Sequence, residues 1–258
     1  METRHGNLYD YPAYYDLVFG SDWKSEFDFL RACFELHARG VVRRLFEPAC
    51  GTGRLLYRLG AAGFEASGLD LNPRAVAYCN RRLARHALAE SAFVGDMTDF
   101  RLRRKVDAAF NTINSFRHLQ TEQAARAHLE CMAAAVRQGG VYLLGLHLTP
   151  RGYRGDQESW SARRGHLQVN THMQTTEYDP RRRLEAFSMS YDVYTPTRAF
   201  RLIDEVRFRT YTPTQFNRLL AAVGKFDVAA TYDFAYDTQE PIVVDAATED
   251  VVFVLVRK

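Results

Sequence analysis

Between residues 23 and 38, apolar side chains recur at Phe27, Leu30, Cys33, Phe34 and Leu36, roughly the spacing of an amphipathic helix. Arg39-Gly40 ends it. Residues 41–46 then read as a short buried strand that runs into Glu47-Pro48-Ala49-Cys50-Gly51-Thr52-Gly53, a glycine turn opening a helix over 54–62. A second strand over 65–70 follows Gly63. Asn72-Pro73 supplies an N-cap and a proline at the first helical position, which predicts a helix over 74–86. Strands over 92–95 and 106–111, a helix over 121–138 stopped by Gly139-Gly140, and a fifth strand over 141–148 complete this half of the chain.

Strands that alternate with helices at this spacing imply an α/β fold, a parallel sheet covered on both faces with right-handed crossovers. After Pro150 the period changes to two. Leu167, Val169, Thr171 and Met173 alternate with polar residues, and Phe200, Leu202, Val206 and Phe208 with charged ones, the pattern of antiparallel strands with one covered face. Asp179-Pro180 and Thr195-Pro196 punctuate this stretch as turns. Thr212-Pro213-Thr214-Gln215 is a capping box for a helix to Val223, ended by Gly224. Strands over 226–234 and 251–256, joined by an acidic loop, close the chain. The pattern divides it into N-terminal helices over 1–40, an α/β domain over 41–150 and 211–258, and an antiparallel insertion over 151–210.

Composition adds little to this picture. The 258 residues are 47% apolar and 25% charged, with 34 basic against 31 acidic side chains, which excludes disordered, collagen-like and coiled-coil classes. Only Lys24, Lys105, Lys225 and Lys258 are lysines, so arginine dominates the basic set. That preference fits recognition of phosphate or carboxylate, and equally a codon bias. Cys33, Cys50, Cys79 and Cys131 match neither zinc spacing nor a secreted disulfide framework, so no metal is expected and the thiols read as reduced and buried. The N-terminus lacks the apolar core of a signal peptide and no run of 18 apolar residues occurs, so a cytoplasmic protein without a membrane partner is expected.

The chemistry concentrates at the turn after the first strand. Gly51 and Gly53 let backbone amides approach a ligand closely, and Asp70, at the end of the second strand, is placed to accept hydrogen bonds from ribose hydroxyls. Asp70 could equally serve the helix start at Asn72. The dinucleotide fingerprint needs a third glycine where Leu56 stands, and a phosphate-binding loop needs lysine followed by serine or threonine where Arg54-Leu55 stands. The two glycines and Asp70 point to an adenosine-type cofactor, with a nicotinamide dinucleotide disfavoured.

These segments resemble the class I S-adenosylmethionine-dependent methyltransferases. Glu47 to Gly53 is similar to their first motif, Gly68-Leu69-Asp70-Leu71-Asn72 to the second, and Val94-Gly95-Asp96-Met97 to the end of their third strand, in the right order across residues 41–150. The resemblance implies a Rossmann-like seven-stranded methyltransferase sheet with an antiparallel β insertion after strand five. It also implies S-adenosyl-L-methionine as cofactor and S-adenosyl-L-homocysteine as product. Asn114-Ser115-Phe116-Arg117-His118-Leu119 resembles a stretch of glycine N-methyltransferase and its relatives, among them the amino-sugar N,N-dimethyltransferases. Tyr14-Tyr15-Asp16-Leu17 followed by Asp22-Trp23-Lys24-Ser25-Glu26 resembles the lid of the same group.

Carried over, the resemblance assigns Tyr15, Trp23, Glu47, Ala49, Gly51, Gly53, Asp70, Leu71, Asp96, Met97 and Thr112 to the cofactor. Tyr15 and Trp23 would close over its methionine end, Asp96 and the Met97 amide would meet the adenine, and Thr112 would offer its carbonyl to the amino group. His118, Tyr15 and Asn114 face the reaction. A histidine near its ordinary pKa of ~6.5 could take the proton of an ammonium acceptor, while Tyr15 orients it. The competing reading makes His118 and the tyrosines structural.

The expected acceptor is a small molecule, methylated at nitrogen rather than oxygen. No Asn-Pro-Pro-Tyr-like tetrapeptide follows the fourth strand, which disfavours amino-methylation of a flipped DNA base. The basic stretch 101–105 keeps an RNA or protein acceptor as the alternative, and a non-catalytic cofactor-binding subunit is a third reading. Residues 151–210 hold 11 basic and 8 acidic side chains, an excess equal to the chain's whole formal charge of +3. That insertion is either the roof of the substrate pocket or a homodimer contact, its arginines meeting an anionic or phosphorylated substrate, or a solvated sheet face whose arginines pair with Glu177, Glu185, Asp192, Asp204 and Glu205.

Overall fold

The structure is a computed structural model that describes residues 1–20 and 23–258; Asp22, in the lid segment above, lies outside the described residues. Its larger sheet joins β2 (Arg44–Pro48), β3 (Glu65–Asp70), β4 (Ala92–Val94), β5 (Val106–Asn111), β6 (Val136–His147), β11 (Phe226–Tyr232) and β12 (Asp250–Arg257) in the order β11-β12-β6-β5-β2-β3-β4. Strands β4, β3, β2, β5 and β6 run parallel, and β12 enters antiparallel between β6 and β11. The order reverses between β2 and β5, so loops at the carboxyl ends of these strands diverge and leave a crevice.

Both faces of the central strands β2, β5, β6 and β12 are largely buried, which is why they read as apolar runs. On β6, Tyr142, Leu144 and Leu146 join one core with α5 (Glu122–Ala135) and α6 (Pro213–Val223). Val141 and Leu143 point the other way into a second core, against α2 (Lys24–His37), α3 (Leu56–Ala61) and α4 (Pro73–Arg85). Capping follows the sequence closely. Asn72 accepts from the Arg74 N–H at the start of α4, and Thr212 and Gln215 close a reciprocal box on α6, which ends at Gly224 with φ 65°.

A five-stranded sheet forms the second layer, in the order β1-β10-β9-β8-β7, built from β7 (Gln157–Arg164), β8 (Leu167–Asp179), β9 (Leu184–Tyr194) and β10 (Ala199–Arg209). The alternating pattern predicted these antiparallel strands. It did not reveal β1 (Glu2–His5), which pairs parallel with β10 and draws the first residues of the chain into the insertion. Leu17 and Val18 of α1 (Pro12–Phe19) pack with Val169, Phe187, Val193 and Leu202 in a third core, so α1 lies between the two sheets.

A second difference concerns Gly139-Gly140. α5 ends at Ala135 and β6 begins at once, with the glycines inside a bulge opposite β5. A Cβ at Gly140 would sit 2.5 Å from the Asp107 carbonyl oxygen, so the glycine pair permits close strand approach instead of stopping the helix.

Candidate active site

The turn after β2 is shaped by residues that ordinary side chains could not replace. Gly53 has φ 67°, and a Cβ there would lie 2.3 Å from the Cys79 sulfur of α4. Ala49 sits at φ 55° without being glycine, a conformation held only where surroundings over-determine it. Asp70, at the carboxyl end of β3, accepts from the Gly51 N–H at 2.8 Å and from the Asn72 N–H at 2.8 Å. It therefore both braces the turn and leads into α4. Burial raises its pKa while those two amides lower it.

Behind the turn lies a buried polar cluster. Arg54 donates to Glu26 of α2 at 2.5 Å, and the other oxygen of Glu26 accepts from the Thr112 hydroxyl. Asn111, the last residue of β5, donates its amide to the Pro48 carbonyl at 2.6 Å, which fixes the amide with its oxygen turned away from that bond. Three atoms in this cluster are buried without a hydrogen-bond partner among the described residues: Arg54 Nη1, Glu47 Oε2 and Asn111 Oδ1. A donor and two acceptors left over at one end of a crevice fit a zwitterion, whose carboxylate takes the guanidinium and whose ammonium takes the two oxygens. Burial pushes the Glu47 carboxyl well above its usual range, an effect Arg54 partly offsets and an arriving ammonium would offset further. Thr112 reaches this place because β6 carries Gly145, where a Cβ would stand 2.2 Å from the Thr112 carbonyl oxygen.

The neighbouring strand ends supply an apolar rim. Leu71 is 73% exposed directly after β3 and Val94 is 55% exposed at the end of β4. Asp96 is exposed and folds back on Thr98, accepting from its N–H at 2.7 Å. Met97 is half-buried, with its carbonyl held by Nδ1 of the buried His128 at 3.0 Å. Nε2 of the same ring meets the Tyr142 hydroxyl at 2.8 Å. Strand β4 sits beside β3 with Val94 opposite Asp70, so Asp70, Leu71, Asp96 and Met97 share one edge of the crevice.

Over the turn lies the N-terminal segment. The Tyr15 ring is close enough to Gly51 that a Cβ there would be 3.6 Å from it. Tyr15 packs on Tyr9 with ring centres 5.3 Å apart, and the Tyr9 hydroxyl meets Nε2 of His118 at 3.0 Å. Tyr15 and His118 are thus joined through Tyr9, a residue that none of the sequence motifs includes. His118 also abuts Phe208 of the insertion at 4.8 Å, and its turn is anchored by Arg117, which pairs with the buried Glu185 at 2.6 Å. Asn114 adopts φ 52° and accepts from the His147 N–H at 3.1 Å.

Two expectations change. Burial, with the Arg117 charge alongside, pushes the His118 pKa down to about 4. The imidazole, expected near 6.5, is therefore neutral at physiological pH. Trp23 stacks under the Arg58 guanidinium at 3.9 Å and against Phe27 at 5.9 Å, contacts that belong to the packing of α2 on α3. Among the arginines of the insertion, Arg201 pairs with Asp192 and Arg182 with Glu177, while Arg183 and Arg209 reach Glu122 of α5. Arg201 and Arg182 are paired one to one, whereas Arg183 and Arg209 share a single carboxylate, so most but not all of this charge is offset in place.

Sequence reasoning missed Arg54, Glu26 and Tyr9. Arg54 was legible only as the residue that broke a phosphate loop. Among the described residues, no group of three or more His, Cys, Asp or Glu side chains could hold a metal ion, and no helix is long and apolar enough to cross a membrane.

Residues 46–140 match the family described as a methyltransferase domain. The chain is 31% identical over 100 residues to a dTDP-3-amino-3,4,6-trideoxy-α-D-glucopyranose N,N-dimethyltransferase of Streptomyces venezuelae, covering 39% of this chain and 40% of that protein. It is 33% identical over 133 residues to a dTDP-3-amino-3,6-dideoxy-α-D-glucopyranose N,N-dimethyltransferase of Streptomyces fradiae, covering 50% of each. The matches span half or less of these relatives' length. An amino pentose methyltransferase from Micromonospora echinaspora, solved with S-adenosylmethionine bound, superposes with a TM-score of 0.72 at 24% identity, covering 99% of this chain and 100% of that one. Residues 46–140 thus match a methyltransferase domain, and the chain shares the fold of an S-adenosylmethionine-binding methyltransferase of known structure.

Proposed function

We propose that the protein transfers a methyl group from S-adenosyl-L-methionine to the amino group of a small molecule, an amino sugar carried on a nucleotide. The observation that carries the reading is the trio of unpartnered buried atoms, Arg54 Nη1, Glu47 Oε2 and Asn111 Oδ1, at the carboxyl ends of β2 and β5. They fit the amino-acid end of that cofactor, with Asp70 placed for its ribose and Leu71 and Met97 for its adenine. When bound, the cofactor supplies a sulfonium methyl group that needs no further activation.

The chain's own task is to hold, orient and dry. Tyr15 and Tyr9 cover the turn, and the insertion sheet closes the side opposite the large sheet, which keeps water from the crevice. An attacking nitrogen must sit about 3 to 3.5 Å from the methyl carbon with its lone pair aligned. The Tyr9 hydroxyl and the neutral His118 ring form one hydrogen-bonded unit beside Phe208, able to accept from or donate to an acceptor amine. A ring with a pKa of about 4 does not hold a proton taken from an ammonium, so the acceptor binds productively as the free amine. The relatives' acceptors, amino sugars on dTDP, match a neutral-amine site of this kind.

The RNA or protein alternative loses support from topology. Residues 101–105 precede β5 and lie at the amino end of the parallel strands, away from the turn. Arg103 and Arg104 there line a cavity of about 500 Å³ with Arg44. Incubation with methyl-deuterated S-adenosylmethionine and a panel of amino-sugar nucleotides, hydroxyl-only analogues and RNA tests the proposal by mass spectrometry. Label on nitrogen of an amino sugar is the expected result. Label only on RNA or protein overturns it, and cofactor binding with no turnover of any acceptor favours the non-catalytic reading.

A further inference from the structure

Helix α1 presents a different neighbour to almost every residue of its second half. Tyr15 lies on the glycine turn, Leu17 and Val18 enter the core of the insertion, and Phe19 meets Trp160 of β7 at 6.1 Å. Asp16, 2% exposed, takes three donors from three separate elements. The Thr52 hydroxyl, from the middle of the turn, donates at 2.9 Å. Arg82 of α4 donates at 2.6 Å and Arg164, the last residue of β7, at 3.0 Å. Arg82 also donates to the Thr52 carbonyl at 3.2 Å, so Thr52 is gripped by side chain and main chain at once.

A buried carboxylate of this kind does little for net stability, because desolvation cancels much of the attraction. What it fixes is geometry. Here the fixed parts are the turn that would bind the cofactor, the lid helix above it and the far end of the sheet that roofs the acceptor side. The Arg164 side chain is 56% exposed while its partner is 2% exposed. One end of this strut is buried at Asp16 and the other stands on the edge strand of the insertion sheet.

We propose that Asp16 is a positioning residue which, with Arg164 as a strut, couples cofactor binding at the glycine turn to seating of the insertion sheet over the acceptor side. This rests on the cofactor reading above. A ligand that orders Gly51 to Gly53 also orders Thr52, hence Asp16, hence the carboxyl end of β7. Coupling between sites is reciprocal, so a seated roof tightens the cofactor in turn. With the cofactor bound, the acceptor meets a roof already in place.

Hydrogen exchange followed by mass spectrometry on the full chain, with and without saturating S-adenosyl-L-homocysteine, tests this without an acceptor. In the wild type the product should slow exchange at least threefold both in the turn, residues 49–59, and in β7, residues 157–164. In Arg164→Gln the turn should stay protected while the β7 effect disappears. Arg164→Lys, which keeps a donor cation, should restore part of it. Arg163→Gln should behave as wild type, since among the described residues the Arg163 side chain bonds only the Gly165 carbonyl two positions on. Retained β7 protection in Arg164→Gln, or none in the wild type alongside a protected turn, overturns the coupling and leaves the cofactor reading standing. No protection of the turn in the wild type overturns both.

Discussion

Lowering the pH through 6.5 perturbs His118 in a way the structure lets us size. The unfolded chain takes up a proton on this ring near pH 6.5, whereas burial holds the folded ring neutral down to about pH 4. Between those values the unfolded state binds more protons, so stability is complete above 6.5 and falls as the pH falls. The full shift, at about 1.4 kcal/mol per unit, corresponds to about 3 kcal/mol, of which about 2 kcal/mol is lost between pH 7 and pH 5. His128, buried with a pKa also lowered to about 4, adds a second loss of similar size. Urea unfolding of wild type and His118→Gln at pH 7 and pH 5 isolates the first ring, because every other titrating group is common to both chains. The wild type should lose about 2 kcal/mol more than the variant over this interval. Equal losses, or a His118 imidazole that titrates by NMR near 6.5, would refute the claim that the ring is buried and neutral.

Other perturbations act on separate parts of the account. Gly145→Ala should destabilise the protein by at least ~1–3 kcal/mol in thermal or urea unfolding, since its Cβ would stand 2.2 Å from backbone at Thr112; a neutral result would mean that β6 and Thr112 do not touch. Methyl transfer should rise with pH along the free-amine fraction of the acceptor, and His118→Gln should lower kcat without moving that limb; an acid limb near 6.5 that vanishes in the variant would restore His118 as the proton acceptor. Arg117→Met should cost about 3–5 kcal/mol by stranding the buried Glu185 carboxylate, and an unchanged midpoint in urea would show that the Tyr153 and Thr175 hydroxyls, which also donate to Glu185, satisfy that group alone.

Where local chemistry dictates geometry, the chain was readable in advance. The Asn72-Pro73 start, the Thr212 to Gln215 box and the Gly51 and Gly53 turn each involve neighbours in sequence, and strand β5 stands at the residues its apolar run marks. Gly139-Gly140 misled because a glycine pair after a helix looks the same whether it ends the helix or admits a crossing strand. Only the Asp107 carbonyl, 33 residues upstream of Gly140, decides between them. β1 was invisible because four residues paired at a sheet edge, with one face to solvent, carry no apolar period. At the site the same distinction holds. Motif residues such as Asp70 are found by spacing, whereas Glu26, Arg54 and Tyr9 matter through partners 28 to 109 positions away. The depressed pKa of His118 comes from burial beneath a sheet that no local window contains.

The central claim is that the crevice at the carboxyl ends of β2, β3 and β5 binds S-adenosylmethionine through its zwitterion and its ribose. Isothermal titration of S-adenosyl-L-homocysteine into wild type, Asp70→Ala and Arg54→Met tests it most directly. The account requires one molecule bound per chain in the wild type and at least a tenfold weaker Kd in each variant, with folding checked by circular dichroism. No heat of binding to the wild type, or an affinity that neither substitution changes, would contradict it.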